Sequence, residues 1–392
     1  MDFSFSEEQE AVAEAAKAIF DGRATVDRVR EVEATDERFD RELWAELASA
    51  NLLGIAVPEA HGGSGLGIIE LALLLQAQGR TVAPIPLWAA TCLGALPVAR
   101  YGTDEQQAAW LPGVVSGDVI LTAALEQLGA APPTTVDGVS ATPDGDGWTL
   151  TGRRLSIPAG HVATRILVPA TTPDGGVVVA LVDPEGSGVT REVARTTDRS
   201  VRAHLTLEST PVAAGDVLGD PSTGAEIVRF AVQHGQVGLA AQQLGLGEAA
   251  LAQTAEYVSD RKQFERPLST NQGVAMRAGD AYIELAAMRT TLWQAAWRLG
   301  EGLPADQEVL VAKWWAAEGG HKVVHTTQHL HGGMGADVDY PIHRYFLWGM
   351  ENGATLGSGS RQLVALGQAI AAEAKARASA AGSGDDAKGA AA

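Results

Sequence analysis

Arg261-Lys262-Gln263-Phe264-Glu265-Arg266-Pro267 interrupts a block of helical period that runs from about Ser222 to about Ala372. The period breaks again at Gly302-Leu303-Pro304 and at Pro341. Proline removes a backbone donor and crowds the preceding turn, and glycine admits turn conformations, so each point ends one helix and frees the next. Four long helices punctuated in this way predict a bundle. A second cluster, Gln328-His329-Leu330-His331-Gly332-Gly333-Met334-Gly335, ends on a glycine pair late in the same block. Taken singly, the first motif is a surface arginine and the second a helix-ending glycine pair.

Upstream of the bundle the period changes. Trp148 to Ile157, Arg165 to Ala170 and Val177 to Asp183 are short runs bounded by the turn signals Asp144-Gly145 and Pro173-Asp174-Gly175-Gly176. Val201, Ala203, Leu205 and Leu207 alternate with Arg202, His204, Thr206 and Glu208, the pattern of a half-buried strand. Before Gly117 the pattern is helical again. Ser6 with Gln9, and Thr103 with Gln106, have the spacing of capping boxes. Leu43, Trp44, Leu47 and Leu53 line one apolar face, and a long apolar helix is expected from Ile68 to about Gln78. The expected organisation is a helical domain over 1–117, a small β domain, barrel-like, over 118–221, and a helical bundle over 222–372. The tail, 373–392, is mostly Ala, Gly and Ser with no large apolar anchor, and is expected to be disordered.

The 392 residues allow two or three domains. The formal net charge of −19 argues against nucleic-acid binding, which needs clustered Lys and Arg, but leaves room for a nucleotide cofactor held by one or two local cations. The single cysteine, Cys92, rules out an internal disulfide and fits the cytosol. The acidic start has no apolar stretch of signal-peptide type, and no run of apolar residues reaches a membrane span.

The two motifs in this order, with Leu53-Gly54-Ile55-Ala56-Val57-Pro58-Glu59, Gly62-Gly63 and Leu150-Thr151-Gly152-Arg153-Arg154, resemble the acyl-CoA dehydrogenase family over residues 1 to about 372. The resemblance implies the family fold of helical domain, β domain and four-helix bundle, and FAD as cofactor. It also implies that Arg261, Gln263, Phe264, Gln328, His331, Gly332 and Gly333 reach across a subunit interface to a flavin held mainly by a neighbouring subunit's β domain. Physically, Arg261 can fork onto pyrophosphate oxygens, and Phe264 offers an apolar or stacking face. Gln328 can both donate and accept, and the glycines let backbone N–H groups come close.

Two departures from the family stand out. Its usual Thr-Glu-Pro and Gly-Ser-Asp contacts are replaced by Ala123-Ala124-Leu125-Glu126-Gln127-Leu128-Gly129-Ala130, and the positions at the flavin-ring edge are Ser156 and Pro158. Pro158 has neither an N–H nor a hydroxyl to give the ring. The slot for the catalytic glutamate, which removes the α-proton as a β-hydride leaves for the flavin, reads Leu356-Gly357-Ser358. The family's second base location, near Gly235, has no Asp or Glu between Glu226 and Glu248. Glu351 precedes Leu356 by more than a turn and is expected to point elsewhere.

No catalytic residue is therefore assigned to this chain. Together with Glu37-Arg38-Phe39-Asp40-Arg41-Glu42-Leu43-Trp44 and Pro341-Ile342-His343-Arg344-Tyr345-Phe346-Leu347, these losses resemble the subunit without the glutamate in bacterial steroid-degrading acyl-CoA dehydrogenases, built from two copies each of two related chains. The resemblance implies a glutamate-bearing homologous partner, an acyl-CoA substrate on a steroid side chain and an electron-transfer flavoprotein as acceptor. Two other readings stay open. One is a self-sufficient homotetramer using His234 or Glu351 as base, and the other is a flavin-free scaffold.

Two decoys lie in the bundle. Gly245-Leu246-Gly247-Glu248-Ala249-Ala250 imitates a dinucleotide fingerprint but has no strand before it, so its glycines are expected to serve helix packing. His321, His325 and His329 recur every four residues, a possible metal-binding face, but no cysteine is near and an interface or packing role is the expectation.

Overall fold

The computed structural model describes residues 4–125 and 134–389, with side chains described as far as Arg377. Six helices come first: α1 (Glu7–Arg23), α2 (Val26–Glu33), α3 (Arg41–Ser49), α4 (Ile68–Thr81), α5 (Leu96–Tyr101) and α6 (Asp104–Ser116). Both expected capping boxes close, Ser6 with Gln9 and Thr103 with Gln106. Leu43, Trp44 and Leu47 are buried on α3, and Leu53 is buried just past it. The short α2 and a π-helical stretch, Ala89–Ala95, have no sequence signal of that kind.

Seven strands make one curled sheet: β1 (Leu121–Ala123), β2 (Val139–Asp144), β3 (Gly147–Pro158), β4 (Arg165–Thr171), β5 (Val177–Val182), β6 (Val189–Arg195) and β7 (Val201–Val212). The order is β1-β4-β2-β3-β7-β6, with β5 also paired to β4. Register shifts between β3 and β7 at Leu150/Gly152 and at Arg154/Ile157 bend it, as bulges do. The second leaves Ser156 at φ +55°. Its own core includes Leu150, Ile166, Val168, Leu205 and Leu207.

The C-terminal part holds α7 (Gly224–Asp260), the two-residue strands β8 (Lys262–Gln263) and β9 (Arg266–Pro267), α8 (Gln272–Gly300), α9 (Asp306–Leu330), α10 (Ile342–Ala354) and α11 (Gly359–Gly389). All three expected breaks are present. The bundle has one more helix than expected, because the turn at Thr355–Ser358 separates α10 from α11 where the apolar period runs on. α11 is described as far as Gly389.

α7 passes through the middle of the molecule and is buried on nearly all sides, as a central helix must be apolar around its circumference. Gly245 explains how close it comes to α4: a Cβ there would collide with the Gln76 carbonyl. The dinucleotide look-alike is thus a helix-crossing point. The three parts are tied by a single carboxylate. Glu33 of α2 is shared by Arg344 of α10, at 2.9 Å, and by Arg199 of the β6–β7 turn, at 2.6 Å.

Candidate functional site: two expected nucleotide grips and a leucine-filled turn

The first grip is the β8–β9 hairpin. Its turn residues, Phe264 and Glu265, both have positive φ, +53° and +65°. Such turns normally carry Asn or Gly, and a bulky residue there costs roughly 1–2 kcal/mol. The strained turn holds the Phe264 ring 95% exposed. Arg261, at the end of α7, and Gln263 are exposed with it, and Arg261 forms no ion pair with a described residue.

The second grip is the end of α9. Gln328 Nε2 donates to the Gly335 carbonyl and folds the segment after the helix back on itself. His331 Nδ1 pairs with the Thr327 carbonyl at 2.8 Å. The Oε1 of Gln328 and the Nε2 of His331 are buried and have no partner. Gly332 sits at φ +59°, a conformation that favours glycine, while nothing lies within 4 Å of a Cβ at Gly332 or Gly333. Crowding inside this chain therefore does not call for the second glycine.

Tyr257 joins the grips. It lies one turn before Arg261 on α7 and stacks on His331, with ring centroids 4.4 Å apart. Tyr257, Tyr340 and Arg261 line one shallow depression. The aromatic pair was not singled out in the sequence; Tyr257's spacing of four from Arg261 was the available signal. An exposed guanidinium, an exposed ring, uncrowded glycine backbone and two orphaned polar atoms suit a ligand bearing phosphate and an aromatic base.

The base slot is different. Leu356 lies in the turn between α10 and α11 at φ +51° and is 1% exposed. Buried amides hold that turn: Gln236 Nε2 donates to the Leu356 carbonyl at 3.0 Å, and Gln362 Nε2 to the Leu356 and Gly357 carbonyls at 3.1 and 3.0 Å. Lys313, fully buried, donates to the Asn352 and Gly353 carbonyls and so neutralises the C-terminal end of α10. The Leu356 side chain is directed at Gly235, the other expected base position. A Cβ on Gly235 would stand 2.7 Å from Leu356 Cδ1 and 2.8 Å from Leu93 Cδ2, with the Trp88 ring at 3.7 Å. Both slots thus converge on one apolar plug.

The nearby titratable groups are committed elsewhere. His234 is buried, its Nδ1 pairs with the Phe230 carbonyl at 2.9 Å, and burial pushes its pKa down to about 4. Glu351 points away from the Leu356 slot, as expected. It faces a cleft beside Thr355, one turn along α10, and Arg202 binds it at 2.6 Å. Arg202 also donates to the Ser156 carbonyl at 3.3 Å and the Thr355 hydroxyl at 3.2 Å. The Ser156 N–H donates to His204 Nδ1 at 2.9 Å, and the Pro158 carbonyl accepts from Thr122 at 2.8 Å. The backbone at the expected ring edge is therefore occupied by the chain itself. The cleft measures about 130 Å³. Of the contrasting segment, Ala123, Ala124 and Leu125 are buried, and 126–130 lie outside the described residues.

His321 and His325 stack at 4.1 Å on α9; among the described residues no group of three metal-capable side chains forms. No described helix is long and apolar enough to cross a membrane.

A helical domain, a curled sheet and a helical bundle are the architecture of a flavin-dependent dehydrogenase. Residues 6–118 match the acyl-CoA dehydrogenase N-terminal domain and residues 222–371 the C-terminal domain, and the chain belongs to the acyl-CoA dehydrogenase family, whose cofactor is FAD. It is 38% identical to acyl-CoA dehydrogenase FadE27 of Mycobacterium tuberculosis over 95% of this chain and 99% of that one. Among solved structures it is similar to a variant of the Tcur3481-Tcur3483 steroid ACAD, at 46% identity and a TM-score of 0.88, covering 94% of this chain and 99% of that one. It is also similar to the ChsE4-ChsE5 complex of Mycobacterium tuberculosis, at 39% identity and a TM-score of 0.89, covering 95% and 99%.

Proposed function

We propose that this chain is the subunit without a base in a heteromeric acyl-CoA dehydrogenase that introduces an α,β double bond into a CoA thioester on a steroid side chain. The partner is a homologous subunit bearing the catalytic glutamate, with two copies of each chain. The observation that carries this reading is the apolar plug: Leu356 and Gly235, the two expected base positions, meet each other beside Leu93 and Trp88. The relatives add support, one being a steroid ACAD and one a two-component complex.

FAD, when bound, supplies the hydride acceptor. This chain's part is to hold the nucleotide end of the partner's FAD. Arg261 binds pyrophosphate oxygens in a charge-assisted fork. Phe264 covers an apolar face from the strained hairpin, with Gln263 beside it. Gln328 and His331 give their unpaired polar atoms, and Gly332 and Gly333 admit close backbone approach. The Arg202–Glu351 pair and Pro158 keep this chain's own ring position closed. Electrons leave to an electron-transfer flavoprotein, and the complex is cytoplasmic.

The self-sufficient reading needs a working base. A histidine with a pKa near 4 and a glutamate locked to arginine are poor ones. Flavin quantitation tests the proposal. The chain purified alone carries little FAD and no activity, and co-expression with a glutamate-bearing relative gives about one FAD per pair of unlike chains. A yellow, active protein from this chain alone defeats it. FAD retention in the complex after Arg261→Ala favours the flavin-free scaffold.

A further inference from the structure

His321, His325 and His329 follow one another at four-residue intervals on α9, and all three are exposed. The helix decides which of them can act together. Residues four apart stand about 6 Å apart along the axis, while His321 and His329 stand about 12 Å apart, too far to share one ion. The structure picks out the first pair. The His321 and His325 rings lie 4.1 Å apart, centroid to centroid, at an interplanar angle of 31°. The Phe346 ring of α10 meets His325 edge-on at 4.9 Å and backs it.

Neither ring is engaged by a polar group of the protein. Among the described residues His321 and His325 have no hydrogen bond and no ion pair, so the nitrogens of both rings are available. The charged neighbours are turned elsewhere. Lys322 is bound to Glu284 at 2.7 Å, and Glu318 packs against Gly359 at the start of α11. Burial and the adjacent His321 lower the pKa of His325, so that ring is neutral at pH 7 and keeps a lone pair to give. Paired imidazoles suit Cu²⁺, Ni²⁺ and Zn²⁺, whereas Mg²⁺ and Ca²⁺ require oxygen ligands.

We propose that His321 and His325 form a chelating site for a divalent transition metal, Cu²⁺ foremost, each ring giving one nitrogen and water filling the remaining positions. The exposed rings need only turn about their Cβ–Cγ bonds to bring one nitrogen each to the ion. A bound ion clips the turn of α9 that leads to Gln328 and His331. The site lies outside the flavin grips and stands whether or not the subunit reading holds.

Titration calorimetry on the untagged, chelator-stripped full chain tests it, with Cu²⁺, Zn²⁺ and Mg²⁺ as probes and electron paramagnetic resonance of the Cu²⁺ form as a second readout. One Cu²⁺ is expected to bind at micromolar concentration through two nitrogens, Zn²⁺ more weakly, and Mg²⁺ not measurably. His321→Gln and His325→Gln are each expected to weaken Cu²⁺ at least about tenfold with circular dichroism unchanged, and His329→Gln to leave it within about twofold. The resonance spectrum of the wild-type chain needs no variant, so a folding defect cannot obscure the result. Lack of a micromolar Cu²⁺ site, a spectrum with fewer than two nitrogen ligands, or Cu²⁺ binding that survives His321→Gln and His325→Gln unchanged overturns the proposal. So does a loss on His329→Gln as large as on His321→Gln.

Discussion

Placing a carboxylate in the slot, Leu356→Glu, is expected to destabilise the chain without creating an enzyme. Leu356 is 1% exposed, and its methyl groups face Gly235, Leu93 and Trp88. Trp88 Nε1 is already given to the Gly235 carbonyl at 2.8 Å. The amides of Gln236 and Gln362 are held by backbone carbonyls of the same turn. Losing the buried leucine costs about 2 kcal/mol. The new carboxyl, desolvated and unpartnered, has its pKa raised by roughly 3 units above the ordinary value near 4.3, and each unit is worth about 1.4 kcal/mol.

The sign follows from which state loses its proton first. Below about pH 4 both folded and unfolded chains hold the proton, and the deficit is about 2 kcal/mol. As pH rises through the unfolded value only the unfolded chain ionises, and the deficit grows to about 6 kcal/mol near pH 8. Denaturant unfolding across this range, with Leu356→Gln as a non-titrating control of constant deficit, measures it. A Leu356→Glu chain as stable as wild type at pH 8, or one that desaturates a CoA thioester unaided, refutes the reasoning about the plug.

Arg261→Ala in the co-expressed complex is expected to weaken FAD about 10- to 100-fold with no change in thermal stability of the FAD-free protein, because the side chain is exposed; fluorescence titration with FAD checks both halves. Arg202→Ala removes the guanidinium that binds Glu351 at 2.6 Å in a mostly buried position and is expected to cost about 2–4 kcal/mol in denaturant unfolding; Arg202→Ala/Glu351→Gln recovers part of it. His234, whose folded pKa of about 4 lies below the ordinary histidine value, is protonated first in the unfolded chain. Stability is therefore expected to fall by up to about 3 kcal/mol as pH drops from about 6.5 to 4, and His234→Gln should flatten that slope.

Much of the fold is legible where local rules and burial agree. The capping boxes at Ser6 and Thr103, and the breaks at Pro267, Gly302–Pro304 and Pro341, are decided within a few residues of chain. The alternation in β7 predicts its buried face at Ala203, Leu205 and Leu207. Arg202 shows its limit. It falls on the polar side of the alternation yet is 6% exposed, because Glu351, 149 positions along the chain, lies opposite it. No local pattern can reveal a partner so distant. The hairpin at Phe264-Glu265 was unreadable for another reason: it adopts a turn that normally requires Asn or Gly.

Strands β2 and β6 carry no clear sequence signal because their exposed, polar residues dilute it. The site motifs were legible as residues, but not their joining through Tyr257. The two expected base positions, Leu356 and Gly235, are legible separately in the sequence. That they touch is a tertiary fact.

The most direct measurement is turnover of a steroid-side-chain CoA thioester by the two-chain complex after swapping one carboxylate at a time. If the proton is taken only by the partner, Glu→Gln at the partner's slot abolishes desaturation while Glu351→Gln in this chain leaves kcat within about twofold of wild type. Desaturation that survives the partner's substitution, or that is lost with Glu351→Gln in a folded, flavin-loaded complex, contradicts the assignment of this chain as the subunit without a base.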